Sequence, residues 1–247
     1  MRSVPKPDLV SIGYVHGNEV THSWHQSMLN LIQWDVAHDQ HVLSAGWYAT
    51  RYGTGGIVQA RNDTVIQFLK GPGEWLFWID TDMGFAPDTV DRLLAAADKD
   101  ERPVMGALCF AMREVAVDGM GGFIVQPAPT IFDWVELPDG RQGFHTRLEY
   151  STNDVTQVAG TGSAAILIHR SVFEKIQEEH GNTWYSPVFN KSMNLHVSED
   201  LSFCSRVGAM NIPVHIATGV KTSHLKQLWL DERIYDRLEV VGMGEKI

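Results

Sequence analysis

Trp75-Leu76-Phe77-Trp78-Ile79-Asp80-Thr81-Asp82 decides the fold: five apolar residues in a row run straight into two carboxylates separated by one residue. An uninterrupted apolar run of this length is too short for a helix and suits a central strand covered on both faces. The strand stops at Asp80. Carboxylates one residue apart at an extended strand end point roughly the same way, so both can reach one hard cation directly or through water. The plainer reading is a helix cap or a solubilised strand end. Asp98-Lys99-Asp100 illustrates it, since that triplet sits in a polar turn after a helix with no apolar strand before it.

Working outward from this strand, the pattern alternates between β and α. Upstream, Leu9 to Tyr14 reads as a first strand, followed by a polar loop and a helix with Trp24, Met28 and Leu31 on one face. A second strand is expected at His41 to Trp47, then the glycine-rich Gly53-Thr54-Gly55-Gly56 and a helix through Val65, Phe68 and Leu69. Downstream, Pro87 opens a helix carrying Val90, Leu93, Leu94 and Ala97 inward, and Val104 to Phe110 forms the next strand.

From Gly119 to Tyr150 glycines, Pro127, Pro129 and the Asp139-Gly140 turn signal predict hairpins and loops, the expected seat of acceptor specificity. Strands at Val155 to Ala159, Ala164 to Ile168 and Val214 to Ala217, and helices from about Ser171 and from Glu199 to about Met210, complete the pattern, with a tail after them. Alternation of this kind implies a largely parallel sheet with helices on its faces, which binds ligands at the carboxyl ends of its strands. Asp80 and Asp82 sit at such an end.

A chain of 247 residues, 44% hydrophobic, can bury a substantial core. No run of about 20 apolar residues is present, and Met1 to Asp8 is polar with two prolines, so a soluble, cytoplasmic protein without a transmembrane segment is expected. Cys109 and Cys204 lie far apart in apolar stretches and read as reduced, buried thiols. A net charge of −10 disfavours nucleic acid as the main partner. It also means that a nucleotide diphosphate would need local charge cancellation, which a divalent metal supplies.

Trp78 to Met83 resembles the DxD segment of GT-A glycosyltransferases, and Ala60-Arg61-Asn62 is similar to an element that precedes it there. Ser198-Glu199-Asp200-Leu201 through Arg206 resembles the Glu-Asp helix that ends the family's core, and Val10 to Glu19 resembles its opening strand and nucleotide loop. Gly160-Thr161-Gly162 with Ala165 to Ile168 is similar to the glycine turn and strand of small bacterial and bacteriophage-encoded, family-2-like members. The order holds over about 215 residues. The resemblance implies an α/β fold, a GT-A type Rossmann-like three-layer sandwich with a mostly parallel central sheet and a hairpin-rich acceptor half. It would form one domain over 1–247, with a nucleotide-sugar-binding half at 9–110, an acceptor and catalytic half at 111–224 and a tail at 225–247. For a bacteriophage-encoded member the place of action would be the host cytoplasm.

The same resemblance implies roles. Asp82 would be a direct metal ligand for Mn2+ or Mg2+, Asp80 would bind ribose or metal-bound water, and His224, after the last strand, would be a further ligand. Tyr14, His16, Arg61, Asn62 and Gly162 would line the pocket of a UDP- or GDP-type sugar donor. Asp200, with Glu199 next in line, would be the catalytic carboxylate. Plain alternatives stand beside these: a structural His224, a surface charge at Arg61, a helix cap at Asp200. Gly13 to Asn18 departs from the Pro-Thr-x-Asn loop of many inverting members, leaving base recognition open. Trp184-Tyr185 reads either as a sugar-stacking surface or as core. His22, His25, His38 and His41 lack a paired acidic set and read as solvated or capping.

The implied reaction is attack of an acceptor hydroxyl on the anomeric carbon of a nucleoside-diphosphate sugar, the acceptor being a protein, a glycan or a modified base. The rivals are a sugar nucleotidyltransferase, which should carry a basic residue in the loop after the first strand where Gly13 to Glu19 has neither Lys nor Arg, and a non-catalytic sugar-nucleotide-binding protein of the same fold.

Overall fold

The computed structural model describes residues 8–38, 40–117 and 122–227, with side chains for all of these except 114–117 and 122–125. The polar start before Asp8, the glycines at 119–121 and the tail from 228 onward lie outside the described residues. In chain order the elements are β1 (Val10–His16), α1 (His22–Ala37), β2 (Trp47–Arg51), α2 (Gly56–Lys70), β3 (Trp75–Ile79), β4 (Met83–Phe85), α3 (Thr89–Ala96) and β5 (Val104–Leu108). The hairpin-rich stretch follows as β6 (Phe110–Val117), β7 (Gly122–Pro129), β8 (Ile131–Glu136) and β9 (Gln142–Thr146). Then come β10 (Val155–Val158), β11 (Gly160–Thr161), β12 (Ala165–His169), α4 (Arg170–His180), β13 (Phe189–Asn190), β14 (Leu195–His196), α5 (Glu199–Ala209) and β15 (Val214–His224).

The main sheet has the order β10-β15-β5-β12-β3-β1-β2, with β4 attached to the far end of β15. β1, β2, β3, β5 and β15 run one way; β12 and β10 run against them. All five residues of β3 are buried, because the strand lies between two cores. Leu76 and Trp78 face Val65 and Phe68 of α2, Phe173 of α4 and Phe203 of α5. Trp75, Phe77 and Ile79 face Trp24, Met28 and Leu31 of α1 and Val90 and Leu93 of α3. Burying each of these large side chains contributes on the order of 1.5–3 kcal/mol, which is why a continuous apolar run marks the middle of the sandwich.

One feature differs from the sequence expectation. The second strand is Trp47–Arg51 rather than His41 to Trp47. Buried Asp35 accepts hydrogen bonds from the Val42 and Leu43 amides at 3.0 and 2.9 Å, holding that segment in turns, and the strand begins only after Gly46, whose φ is +92°. The sheet is mostly parallel, as expected, with β12 inserted antiparallel between β3 and β5.

The connections after β3 and β5 place the site. A register shift in β15 between Ala217 and Lys221 lets its last residues leave β5's line and pair with β4, setting His224 opposite Met83. The stretch after β5 contains the expected hairpins: β6 with β7, and β8 with β9 around the Gly140 turn, where φ is +81°. β11 joins β8 to close that small sheet.

Candidate active site

Beyond Ile79 the chain does not stay extended. The Met83 amide donates to the Asp80 carbonyl at 3.1 Å, closing a turn over Asp80 to Met83. Strand alternation therefore does not apply, and the two carboxylates make different hydrogen bonds. Asp80 accepts from Arg61 Nη2 at 3.0 Å. Asp82 Oδ2 lies 3.0 Å from both His224 Nε2 and Lys226 Nζ.

Arg61 is the pivot of the first group. It is no surface charge: it is 1% exposed, on the inner face of α2, with its guanidinium 5.1 Å from the Trp78 ring and 5.5 Å from the Tyr185 ring. Besides Asp80 it faces Asp200 Oδ1 at 3.7 Å. Burial works to lower the Arg61 pKa, but the charges of Asp80 and Asp200 outweigh it and raise the value. Its Nε and Nη1 are buried without a hydrogen-bond partner among the described residues, as is Asp200 Oδ1. Burial pushes the Asp80 carboxyl up despite Arg61, with Asp200 and Asp82 adding repulsion. Glu199 is pushed up by burial and by the Asp200 charge.

Asp200 enters this group because α5 begins at Glu199 with Ser202, Phe203, Cys204 and Val207 turned into the core. Ser198 is the N-cap residue and makes no side-chain capping bond. Gly162 lies alongside: a Cβ there would be 3.7 Å from Asp200 Oδ2. Gly160, two residues earlier, allows close approach of α5, because a Cβ there would meet Leu201 and Phe144 at 2.9 Å.

The second group is polarised differently. Burial acts to raise the Asp82 carboxyl, but hydrogen bonds from His224 and Lys226 prevail and hold it at about 2. For His224, burial works downward, while the Asp82 bond and the Phe110 carbonyl raise its pKa. His224 Nδ1 donates to that carbonyl at 2.8 Å and Nε2 donates to Asp82 at 3.0 Å, so both nitrogens carry protons, and loss of the Nε2 proton would free that nitrogen as a ligand with Nδ1 still held. A backbone carbonyl behind a ligating imidazole is the usual way its metal-binding nitrogen is oriented. Among the described residues, no three His, Cys, Asp or Glu side chains are gathered as a metal-holding group. Asp82 and His224 offer two donors side by side, which fits a hard cation that keeps water and takes its remaining oxygens from substrate phosphates.

The other expected residues are distributed around this edge. Tyr14 is half-buried with its ring 4.9 Å from Trp24 and 5.9 Å from His16, and burial raises its pKa. His16 Nδ1 sits 2.8 Å from the Gly17 carbonyl. Asn62 is buried and accepts from the Tyr185 amide at 2.9 Å, tying α2 to the segment below Arg61. Trp184 and Tyr185 are fully buried, which makes them core and not a stacking surface; Trp184 Nε1 donates to the Phe173 carbonyl at 2.8 Å. His22, His25 and His38 are exposed.

Sequence reasoning missed Lys226 and Arg51. Lys226 follows His224 by two residues, the spacing that returns an extended chain to the same side, and this was the available signal. Arg51 has no such signal: it reaches the loop after β1 from the end of the neighbouring strand and donates to Asn18 at 2.7 Å, bringing a guanidinium to a loop without Lys or Arg of its own.

No protein-family model matches the chain, and no curated protein sequence is similar to it. Solved structures do resemble it. A197 from STIV is 15% identical with a TM-score of 0.51, over 89% of this chain and 86% of that one. GalNAc-T7, crystallised with UDP, GalNAc and Mn2+, is 12% identical with a TM-score of 0.58, over 89% of this chain and 43% of that one. This chain thus spans less than half the length of the latter. At such identities the likeness concerns architecture: the chain has a GT-A-like α/β sandwich fold.

Proposed function

We propose that the chain is a metal-dependent glycosyltransferase that moves a sugar from a nucleoside-diphosphate donor of the UDP or GDP type to an acceptor hydroxyl. The observation that carries this reading is the meeting of four carboxylates, Asp80, Asp82, Glu199 and Asp200, around Arg61, His224 and Lys226 at one edge of a GT-A-like sheet. Asp80 and Glu199 are pushed up in pKa chiefly by burial, with repulsion from Asp200 added to it. A site of this kind favours a further cation.

In this reading Asp82 and His224 would hold the metal, and Asp80, fixed by Arg61, would bind the ribose or a water on that metal. The bound ion would neutralise charge on the diphosphate as it departs. The acceptor oxygen forms its bond to the anomeric carbon, the bond from that carbon to the phosphate oxygen breaks, and the diphosphate leaves with the electron pair. Asp200 takes the hydroxyl proton in an inverting reaction; in a retaining one it lies beside the anomeric centre. Tyr14, His16, Gly162 and the Arg51–Asn18 pair border the donor side.

Incubation of purified protein with UDP- and GDP-sugars and Mn2+ tests the reading, because donors of this class hydrolyse slowly even without an acceptor. Release of one nucleoside diphosphate in preference to others supports it. No release from any donor, and no nucleotide binding, contradicts it. No helix among the described residues is long and apolar enough to cross a membrane.

A further inference from the structure

A cavity lies between α5, the start of β15 and the β8–β9 hairpin, with a volume of about 560 Å³. α5 rises about 1.5 Å per residue, which puts its Ala209 end about 14 Å along the helix from Asp200. The cavity runs along α5 from Cys204 and Ser205, about 6–8 Å from Asp200, to that far end. Its size falls in the range of small-ligand pockets, roughly 300–1,000 Å³.

Its walls specify the chemistry of an occupant. Trp134 is 50% exposed, yet its ring is held, 5.1 Å from and perpendicular to that of Phe144, its directly opposite partner across the hairpin. A large aromatic left half in water but fixed in orientation is a prepared flat surface. None of the lining side chains is charged. Gln157 and Asn211 are exposed, and Ser205 donates its hydroxyl to the Leu201 carbonyl at 2.9 Å, leaving its oxygen able to accept. An apolar plate, amide and hydroxyl groups around it and no formal charge together match a ring with one apolar face and a rim of neutral hydroxyls.

We infer that this cavity is a binding site for a neutral carbohydrate, which stacks on Trp134 and hydrogen-bonds to Gln157, Asn211 and Ser205. The inference does not rest on the transferase reading, since it needs neither metal nor nucleotide. A charged sugar or a nucleotide would bring an anion to a wall with no cation to meet it, and a purely apolar ligand would leave the amides unsatisfied.

Saturation-transfer NMR on chelator-treated, nucleotide-free protein tests it, with lactose, cellobiose and N-acetylglucosamine as neutral probes, glucuronic acid as the charged one and phenol as the apolar one. At least one neutral sugar should receive signal. Trp134→Ala should weaken that binding by about tenfold or more, the scale of a lost aromatic platform. Gln157→Ala, on an exposed side chain that folding does not need, should weaken it several-fold, while Asp82→Asn should leave it unchanged. No signal from any neutral sugar, signal from phenol alone, or sugar binding undiminished in both cavity variants would overturn the assignment. If sugars bind here while no nucleotide binds anywhere, the transferase reading fails and this one stands.

Discussion

Arg61 donates to Asp80 at 3.0 Å from a position that is 1% exposed, so the acidic strand end rests on a cation buried beneath it. The same guanidinium reaches Asp200 on α5 at 3.7 Å. One side chain thereby ties the end of β3 to the start of α5, and two of the candidate carboxylates, Asp80 and Asp200, depend on it.

Arg61→Met should therefore destabilise the protein by about 3 kcal/mol at neutral pH, because removing one member of a buried pair leaves the other charge uncompensated. Adding Asp80→Asn to it should recover a large part of that loss, since the orphaned charge is gone. Urea denaturation of the two variants and wild type measures both effects. A loss under about 1 kcal/mol would show that Arg61 is not the support described.

Glu199 provides a pH test with a definite sign. Its folded-state pKa lies above the ordinary glutamate value, by burial and the Asp200 charge, so the folded state holds a proton more tightly than the unfolded one. The group costs nothing below the unfolded value and destabilises progressively as pH rises through the folded one. Glu199→Gln should accordingly be more stable than wild type at pH 8, and that advantage should vanish by about pH 4, near the unfolded-chain value for glutamate. Denaturation curves at the two pH values would show an equal difference if the burial argument were wrong.

Gly160 allows α5 to lie against β9 and β11. Gly160→Ala places a methyl group against Leu201, Phe144 and Cys204, and should cost about 1–3 kcal/mol by overpacking. Because Leu201 follows Asp200, transfer activity should fall along with the melting temperature. An unchanged melting temperature would mean that α5 has room to move.

Much of this was readable from sequence, for reasons visible in particular residues. The β3 run is apolar on both faces because two cores need it, and α1 shows Trp24, Met28 and Leu31 at helical spacing because only one face is covered. What failed depended on distant partners. The turn at Val42 and Leu43 is held by Asp35 from the preceding helix, so its apolar residues looked like a strand. The sheet is mostly parallel as the alternation implied, and the reversed direction of β12 between β3 and β5 is a detail that no local pattern encodes. In the site, Asp80, Asp82, Asp200 and His224 stood out by motif, but the division of the two aspartates between Arg61 and His224 arises from a turn at Asp80 to Met83, not from strand geometry.

Asp200→Asn separates chemistry from binding. It keeps the shape of the side chain at the start of α5 while removing the proton acceptor, so folding and nucleotide affinity should change little and sugar transfer should drop by about 10²-fold or more. Transfer assays with the acceptor in place and nucleotide titrations check the two halves. Near wild-type transfer would remove Asp200 from the mechanism and leave Glu199 as the candidate.

The central claim is that Asp82 and His224 hold a metal against a nucleoside diphosphate, and calorimetric titration of UDP and GDP into chelator-treated protein, with and without added Mn2+, tests it most directly. For one of the two nucleotides the account predicts a gain in affinity of at least about tenfold with Mn2+, equivalent to about 1.4 kcal/mol, and loss of that gain in Asp82→Asn and His224→Ala. Affinity that is the same with and without metal, or a metal effect that persists in both variants, would contradict it.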